Sequence, residues 1–320
     1  AIVALERCDT YQLDAVVSAM RGMLDHVGGM SSFIKPKSRV LLKPNMLSGD
    51  KPERAVTTHP SIIEAMIVLC RELGADPVVG DSPAMGTARK TSKGCGIGEV
   101  CKRYDVPVLD LGTSLPGKAE PVSGIECPQI SAKLGEFDII VNLPKVKVHQ
   151  QIYLSLAVKN LFGCIPGRRK ALWHLLLRKS VDQFGRMLVA NLTKIQPTIS
   201  IADAVIAMER SGPRGGVPRH VGLLGASADP VALDRVLIEL LGARLDDYPV
   251  LKAAREMGVG ETNLANIDIR GLSIEEAKID DFVLIEKKEM MPIGFSLPHI
   301  IRGLWRQFRG QTLPPAGKPV

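Results

Sequence analysis

Short runs of β-branched and aliphatic residues alternate along this chain with stretches of helical periodicity, and that alternation constrains the fold more than any other feature. Ile2–Glu6 reads as a strand; Asp9 and Thr10 can cap an amphipathic helix from about Leu13 to Val27, which Gly28-Gly29 ends. Arg39–Lys43 (RVLLK) is a second, buried strand. Thr57-Thr58-His59-Pro60 then places a hydroxyl cap and a first-turn proline ahead of the helix SIIEAMIVLCRELG. Asp76–Gly80, Val106–Leu111 and Phe137–Asn142 repeat the strand signal. Such βα units predict an α/β fold with a mainly parallel sheet flanked by helices. We expect two lobes with a crevice between them: an N-terminal lobe over 1–142, a C-terminal lobe over 143–290 and a basic tail over 291–320.

The second half follows the same grammar. A helix is expected at about Val181–Ile195 and strands at Thr198–Ala202 and Val221–Leu224. Asp229-Pro230 should open a helix that runs to Leu241, and late strands are expected at Ile267–Arg270 and Phe282–Ile285. Two stretches are too rich in Gly and Pro for regular structure: Pro116–Pro128, read as an excursion or hairpin, and the loop Glu209–Pro218 (ERSGPRGGVP). The tail from Ile300 carries Arg302, Arg306, Arg309 and Lys318 and reads as a frayed end or docking arm.

At 320 residues with 45% hydrophobic content, the chain can bury a core without disulfides. Its net charge of +7 and isoelectric point near 9.1 favour anionic partners. Nucleic acid is the weaker candidate, because 4% aromatic residues supply few platforms for stacking bases. The six cysteines, Cys8, Cys70, Cys95, Cys101, Cys127 and Cys164, form no C-x-x-C pair and read as reduced thiols of a cytoplasmic protein. No apolar run reaches the ~18–20 residues of a membrane span.

The residues that carry chemistry gather at strand ends, where open parallel sheets bind ligands. Lys43, Asn45, Asp81 and Ser82 sit at the ends of two strands, and Thr58 and His59 at the mouth of a helix. The richest segment follows Asn142: Lys145, Lys147 and His149 alternate, so an extended chain turns all three to one side. Like charges on one face repel unless an anion joins them, and their crowding lowers a lysine's pKa towards the range of a usable base or nucleophile. Lys159 stands inside the apolar run SLAVKNLFG, followed by Asn160, and His174 lies beyond. Asp203 ends a strand, and Arg214 in the Gly-rich loop is a candidate anion clamp. A solvated basic face is the bland alternative for the lysines.

Gly112-x4-Gly117-Lys118 imitates a phosphate loop, but Ala119 stands where the magnesium-binding hydroxyl belongs and Pro121 where a helix should start. Gly94-Cys95-Gly96-x-Gly98 likewise lacks the strand-then-helix context of a dinucleotide site.

The segments LLKPNM, TTHP, GDSP, NLPKVKVH, LSLAVKNLFG, IADAVIAMERSGPRGG and ASADPVALD, in this order from about Ile2 to about Gly260, resemble the domain-of-unknown-function 362 proteins. The resemblance implies a cytosolic α/β protein. Many such proteins carry or neighbour iron–sulfur modules, which implies a ferredoxin-like redox partner; this chain lacks the cysteine motif for a cluster of its own. More distantly, the order and spacing of His149, Lys159 and His174 are similar to those of the nickel-pincer lactate racemase superfamily. Leu156-Ala157-Val158 replaces that family's Gly-Gly-Arg, so a shared pocket is implied without the nickel cofactor.

The leading expectation is an enzyme that binds an anionic small metabolite, carboxylate or phosphate-bearing, and moves protons as isomerases and racemases do. Lys159, His149 and His174 would be catalytic. Lys43, Asn45, Thr58, His59, Asp81, Ser82, Lys145, Lys147, Asn160 and Arg214 would bind the substrate. The alternative is an iron–sulfur-associated redox protein using Cys95, Cys101, Cys127 or Cys164. A basic nucleic-acid module is a third reading, and a homodimer is an open expectation; cofactor identity, an iron–sulfur cluster or a nickel species among the options, is left unassigned.

Overall fold

The strand-forming runs pair into a single ten-stranded sheet in a computed structural model that describes residues 1–84, 86–112, 129–177 and 180–293. In chain order the strands are β1 (Ile2–Arg7), β2 (Arg39–Pro44), β3 (Asp76–Asp81), β4 (Val108–Asp110), β5 (Ile139–Leu143), β6 (Lys145–His149), β7 (Tyr153–Ser155), β8 (Ile199–Glu209), β9 (Val217–Ser227) and β10 (Asp268–Gly271). Across the sheet the order is β10-β1-β9-β8-β5-β2-β3-β4, with β6 paired to β8 and β7 to β6. The contiguous run β8-β5-β2-β3-β4 is parallel, while β9 is antiparallel to both β1 and β8. The α/β class with a mainly parallel sheet follows directly from these pairings.

Both faces of the sheet are covered, which is why its central strands read as unbroken apolar runs. Val40 and Leu42 of β2 join one core with Ile63, Met66 and Met20, and the intervening Leu41 joins the other with Phe184, Leu188 and Val236. The sheet is continuous across the expected division at residues 142 and 143, because β1 from the first segment pairs with β9 and β10 from the second.

Several local expectations need correction. The helix Leu13–His26 starts without a side-chain cap on Gln12; the Thr10 hydroxyl accepts the Gln12 N–H instead. The helix Pro60–Glu72 is capped by an imidazole rather than a hydroxyl, since Nδ1 of His59 accepts the Ser61 N–H at 3.2 Å. The ladder of the β8–β9 hairpin runs out to Glu209 and Val217, so it absorbs both ends of the expected loop. Phe282–Ile285 is not a strand: the Glu209 carboxylate accepts the Val283 N–H, where a strand neighbour would have offered a carbonyl. The segment Pro116–Pro128, the phosphate-loop imitation beyond Gly112 and the tail from Ile300 lie outside the described residues. No described helix is long and apolar enough to cross a membrane.

Candidate functional site

At Pro144 the chain leaves β5 and continues along β8 as β6. Asn142 lies opposite Ser200, and Lys145 opposite Asp203. β6 therefore begins where β2 and β3 end, and its residues rise over Lys43, Asn45, Asp81 and Ser82. All five residues of β6 are buried; Val146 and Val148 enter the core, and Lys145, Lys147 and His149 share the opposite side.

Two of the lysines meet carboxylates. Lys145 Nζ lies 2.9 Å from Asp203 Oδ2 and donates to the Tyr11 hydroxyl at 2.8 Å, and that hydroxyl donates to Asp203 Oδ1 at 2.7 Å. His59 stacks on Tyr11 with ring centroids 3.5 Å apart, and its backbone N–H donates to Asp203 at 2.9 Å. Burial holds the His59 imidazole down at about 4. Lys43 Nζ lies 2.9 Å from Asp81 Oδ1 and donates to the Pro44 carbonyl at 2.6 Å. Gly163 passes directly over this ion pair, and any Cβ there would overlap both Asp81 Oδ1 and Lys43 Nζ.

Three lysines have no carboxylate within ion-pair distance. Lys147 donates to Asn45 Oδ1 at 2.9 Å and to the Val56 carbonyl at 2.5 Å, and Lys170 donates to the Ser82 carbonyl. Burial, with Lys159 and Lys145 adding to it, holds Lys147 well below its ordinary value; burial pulls Lys170 to about 8, against the opposing charge of Asp81 and with Lys43 adding to it. Lys159 is the extreme case. Among the described residues its Nζ has neither a hydrogen-bond nor an ion-pair partner, and it is only partly buried. Burial and the neighbouring ammoniums of Lys170 and Lys43 bring it to about 8.

The short helix that presents Lys159, Ala157–Asn160, is held at both ends. Asp234, fully buried, accepts the N–H groups of Ala157 at 2.7 Å and Val158 at 3.2 Å. Burial raises this carboxyl to about 8, against the lowering effect of those two donors. At the other end Asn160 donates to Asn142 Oδ1 at 2.9 Å and accepts from Asn45 at 3.1 Å, so a chain of amides runs from β5 to Lys147.

The two histidines beside Lys159 are neutral. Nδ1 of His149 accepts the Gln151 N–H at 3.1 Å, which leaves the proton on Nε2. Nδ1 of His174 faces the Ile293 carbonyl at 3.0 Å, so there the proton is on Nδ1. Burial brings His174 to about 4 and, with Lys159 and Lys147, holds His149 well below its ordinary range.

Of the expected site residues, Lys43, Asn45, Asp81, Lys145, Lys147, His149, Lys159, Asn160 and His174 fall in this one neighbourhood. Ser82 contributes its backbone carbonyl. Thr58 is a strut: its hydroxyl accepts the Asn45 N–H at 2.8 Å and donates to the Leu143 carbonyl at 2.7 Å. Arg214 is paired with Asp50 at 2.7 Å, and Asp50 also binds Arg54 and Ser48. Tyr11, Lys170, Gly163 and Asp234 were not singled out from the sequence, although Asp234 closes the ASADPVALD segment. Cys8, Cys70, Cys95 and Cys101 lie in one core and Cys164 in the other, all as buried free thiols; Cys127 is outside the described residues. Among the described residues no group of three or more His, Cys, Asp or Glu side chains is placed to hold a metal ion.

Two comparisons bear on this neighbourhood. The thylakoid-associated protein sll1697 of Synechocystis sp. (strain ATCC 27184 / PCC 6803 / Kazusa) is 36% identical over 307 residues, covering 96% of this chain and 94% of that protein. The family model for a domain of unknown function, DUF362, matches residues 40–239, a span that encloses every lysine of the cluster together with Asp203 and Asp234. The chain belongs to the domain-of-unknown-function 362 family.

Proposed function

We propose that this chain is an enzyme that binds an anionic small metabolite, bearing a carboxylate or a phosphate, and carries out proton transfer of the isomerase or racemase type beside a carbonyl or carboxylate. One observation carries the reading: Lys147, Lys159 and Lys170 gather around the carboxyl ends of β2 and β3 with no carboxylate within ion-pair distance of any of them among the described residues, the neighbouring Asp81 being taken by Lys43. Three ammoniums in a poorly solvated space repel one another unless an anion enters. A lysine near pH 8 is also a competent base at neutral pH, and the Nε2–H of neutral His149 is a hydrogen-bond donor for developing negative charge.

We also place the chain in a reducing compartment on the cytoplasmic side, supported by the buried free thiols. The name of the thylakoid-associated relative supports an association with thylakoids as the other placement.

The test is solvent-deuterium exchange, followed by proton NMR, over a panel of 2-hydroxy acids, 2-oxo acids and sugar phosphates. The expected result is exchange at the carbon next to the carboxylate or carbonyl of one compound. Lys159→Ala should slow that exchange roughly 100-fold or more with the fold intact. Unchanged exchange in the variant removes Lys159 from the chemistry.

A further inference from the structure

We propose that Lys159 is a covalent site that forms an imine with an aldehyde or ketone whose molecule also carries an anionic group. The inference rests on the anion-binding reading above and specifies the substrate's second functional group. Five lysines meet in this neighbourhood, and four are engaged: Lys43 with Asp81, Lys145 with Asp203 and Tyr11, Lys147 with Asn45 and Val56, and Lys170 with Ser82. Only the Nζ of Lys159, among these five, makes no contact of this kind. A surface lysine in that state is unremarkable. This one is held by a helix whose leading N–H groups are bound to a buried carboxyl, and whose far end is tied to Asn142 and Asn45. An amine carried on a fixed helix, without a hydrogen-bond or ion-pair partner among the described residues and beside cations that favour its neutral form, has the properties of a Schiff-base nucleophile.

The neighbours define the rest of the ligand. Lys147 and Lys170 have no carboxylate within ion-pair distance among the described residues, Asp81 being paired with Lys43, so they suit the carboxylate or phosphate. His149, protonated on Nε2, suits the oxygen of the carbonyl under attack.

The step balances without a redox partner. Neutral Lys159 Nζ forms a bond to the carbonyl carbon, and the C=O pair moves to oxygen, which takes up a proton to give a carbinolamine. The nitrogen lone pair then expels that oxygen as water with one further proton, both protons being returned by the nitrogen through solvent or His149. Amine and carbonyl become imine and water.

Glyoxylate, an anionic aldehyde, is the probe, with glycolaldehyde as its uncharged counterpart and cyanoborohydride as the hydride donor that fixes any imine as a secondary amine. Peptide mass spectrometry of the intact chain then locates the adducts, and melting temperature in glyoxylate without reductant reports binding separately. The expected result is labelling at Lys159 at least roughly tenfold faster than at any exposed lysine, for glyoxylate and not for glycolaldehyde. Its rate should climb through about pH 8, whereas exposed lysines are still gaining at pH 10.5. Lys159→Arg, which keeps the charge and cannot form the imine, should lose that adduct and retain stabilisation by glyoxylate. Stabilisation without preferential labelling of Lys159 overturns the imine and leaves the anion site standing. Labelling spread over exposed lysines, with no stabilisation, overturns both.

Discussion

The two ends of the lysine cluster are built on opposite electrostatic plans. Around Lys145 every charge is answered: Asp203 takes the ammonium, the Tyr11 hydroxyl and the His59 N–H, and the Tyr11 and His59 rings close over the pair. Around Lys159 the ammonium itself is unanswered among the described residues: its neighbours are Lys170, Lys43, whose charge is taken by Asp81, and neutral imidazoles. Burial lowers both lysines, Lys145 fully buried and Lys159 partly so, and does not by itself separate the two plans. Counter-charge does. The first end is complete as it stands, and the second is completed by something negative that the described residues do not bring within ion-pair distance of Lys159.

That contrast predicts opposite responses to removing one charge from each end. Asp203→Leu strands the buried Lys145 ammonium and leaves Tyr11 and the His59 N–H without their acceptor; the expected loss is about 3–5 kcal/mol in urea unfolding. A loss below about 1 kcal/mol would mean that this end is not a structural unit. Lys159→Met should go the other way. The folded-state value near 8 lies below the ordinary 10.5, so the ammonium is disfavoured by folding; this cost is fully present below pH 8 and fades as pH rises towards 10.5. The variant should therefore be more stable than its parent at pH 7, by up to about 3 kcal/mol, with the advantage shrinking as pH rises towards 10.5. A variant that is less stable at pH 7 would contradict the uncompensated charge. Phosphate or citrate added to the parent should erase most of the difference.

Much of this architecture was legible in the sequence, for a physical reason. Strands and helices announce themselves through local periodicity, so β2, β3 and β5, and the helices Val181–Ile195 and Pro230–Leu240, appear where the pattern put them. The alternation of Lys145, Lys147 and His149 survived as one side of β6 because a strand leaves a side chain no other choice. What each lysine faces was not legible. Asp203 and Tyr11 reach Lys145 from 58 and 134 residues away, and no local pattern encodes that meeting. The same holds for His59, whose imidazole took the capping role expected of a hydroxyl because Thr58 was already needed between β2 and β5. Lys170, for which the sequence offers no partner, is only 8% exposed because the carbonyl of Ser82 receives it.

The smallest effects test how Lys159 is held rather than what surrounds it. Asp234→Ala deprives the Ala157 and Val158 N–H groups of their acceptor in a site where the residue is fully buried, with an expected cost of about 2 kcal/mol. Asp234→Asn keeps one acceptor oxygen and, because burial already raises this carboxyl to about 8, changes little of the charge present at pH 7; its cost should be roughly half as large. The informative readout is the labelling of Lys159 by glyoxylate at matched stability. A helix that merely packs would lose stability in both variants while Lys159 kept its selective labelling. A helix whose position creates the site should lose that selectivity in Asp234→Ala and recover most of it in Asp234→Asn. As a baseline, Arg21→Ala breaks the exposed pair with Glu72, where both side chains are about half exposed, and should change stability by less than ~1 kcal/mol. Ion pairs of that kind are distributed over the surface without consequence for the cluster, so an Asp234 effect no larger than Arg21→Ala would reduce the clamp to ordinary packing.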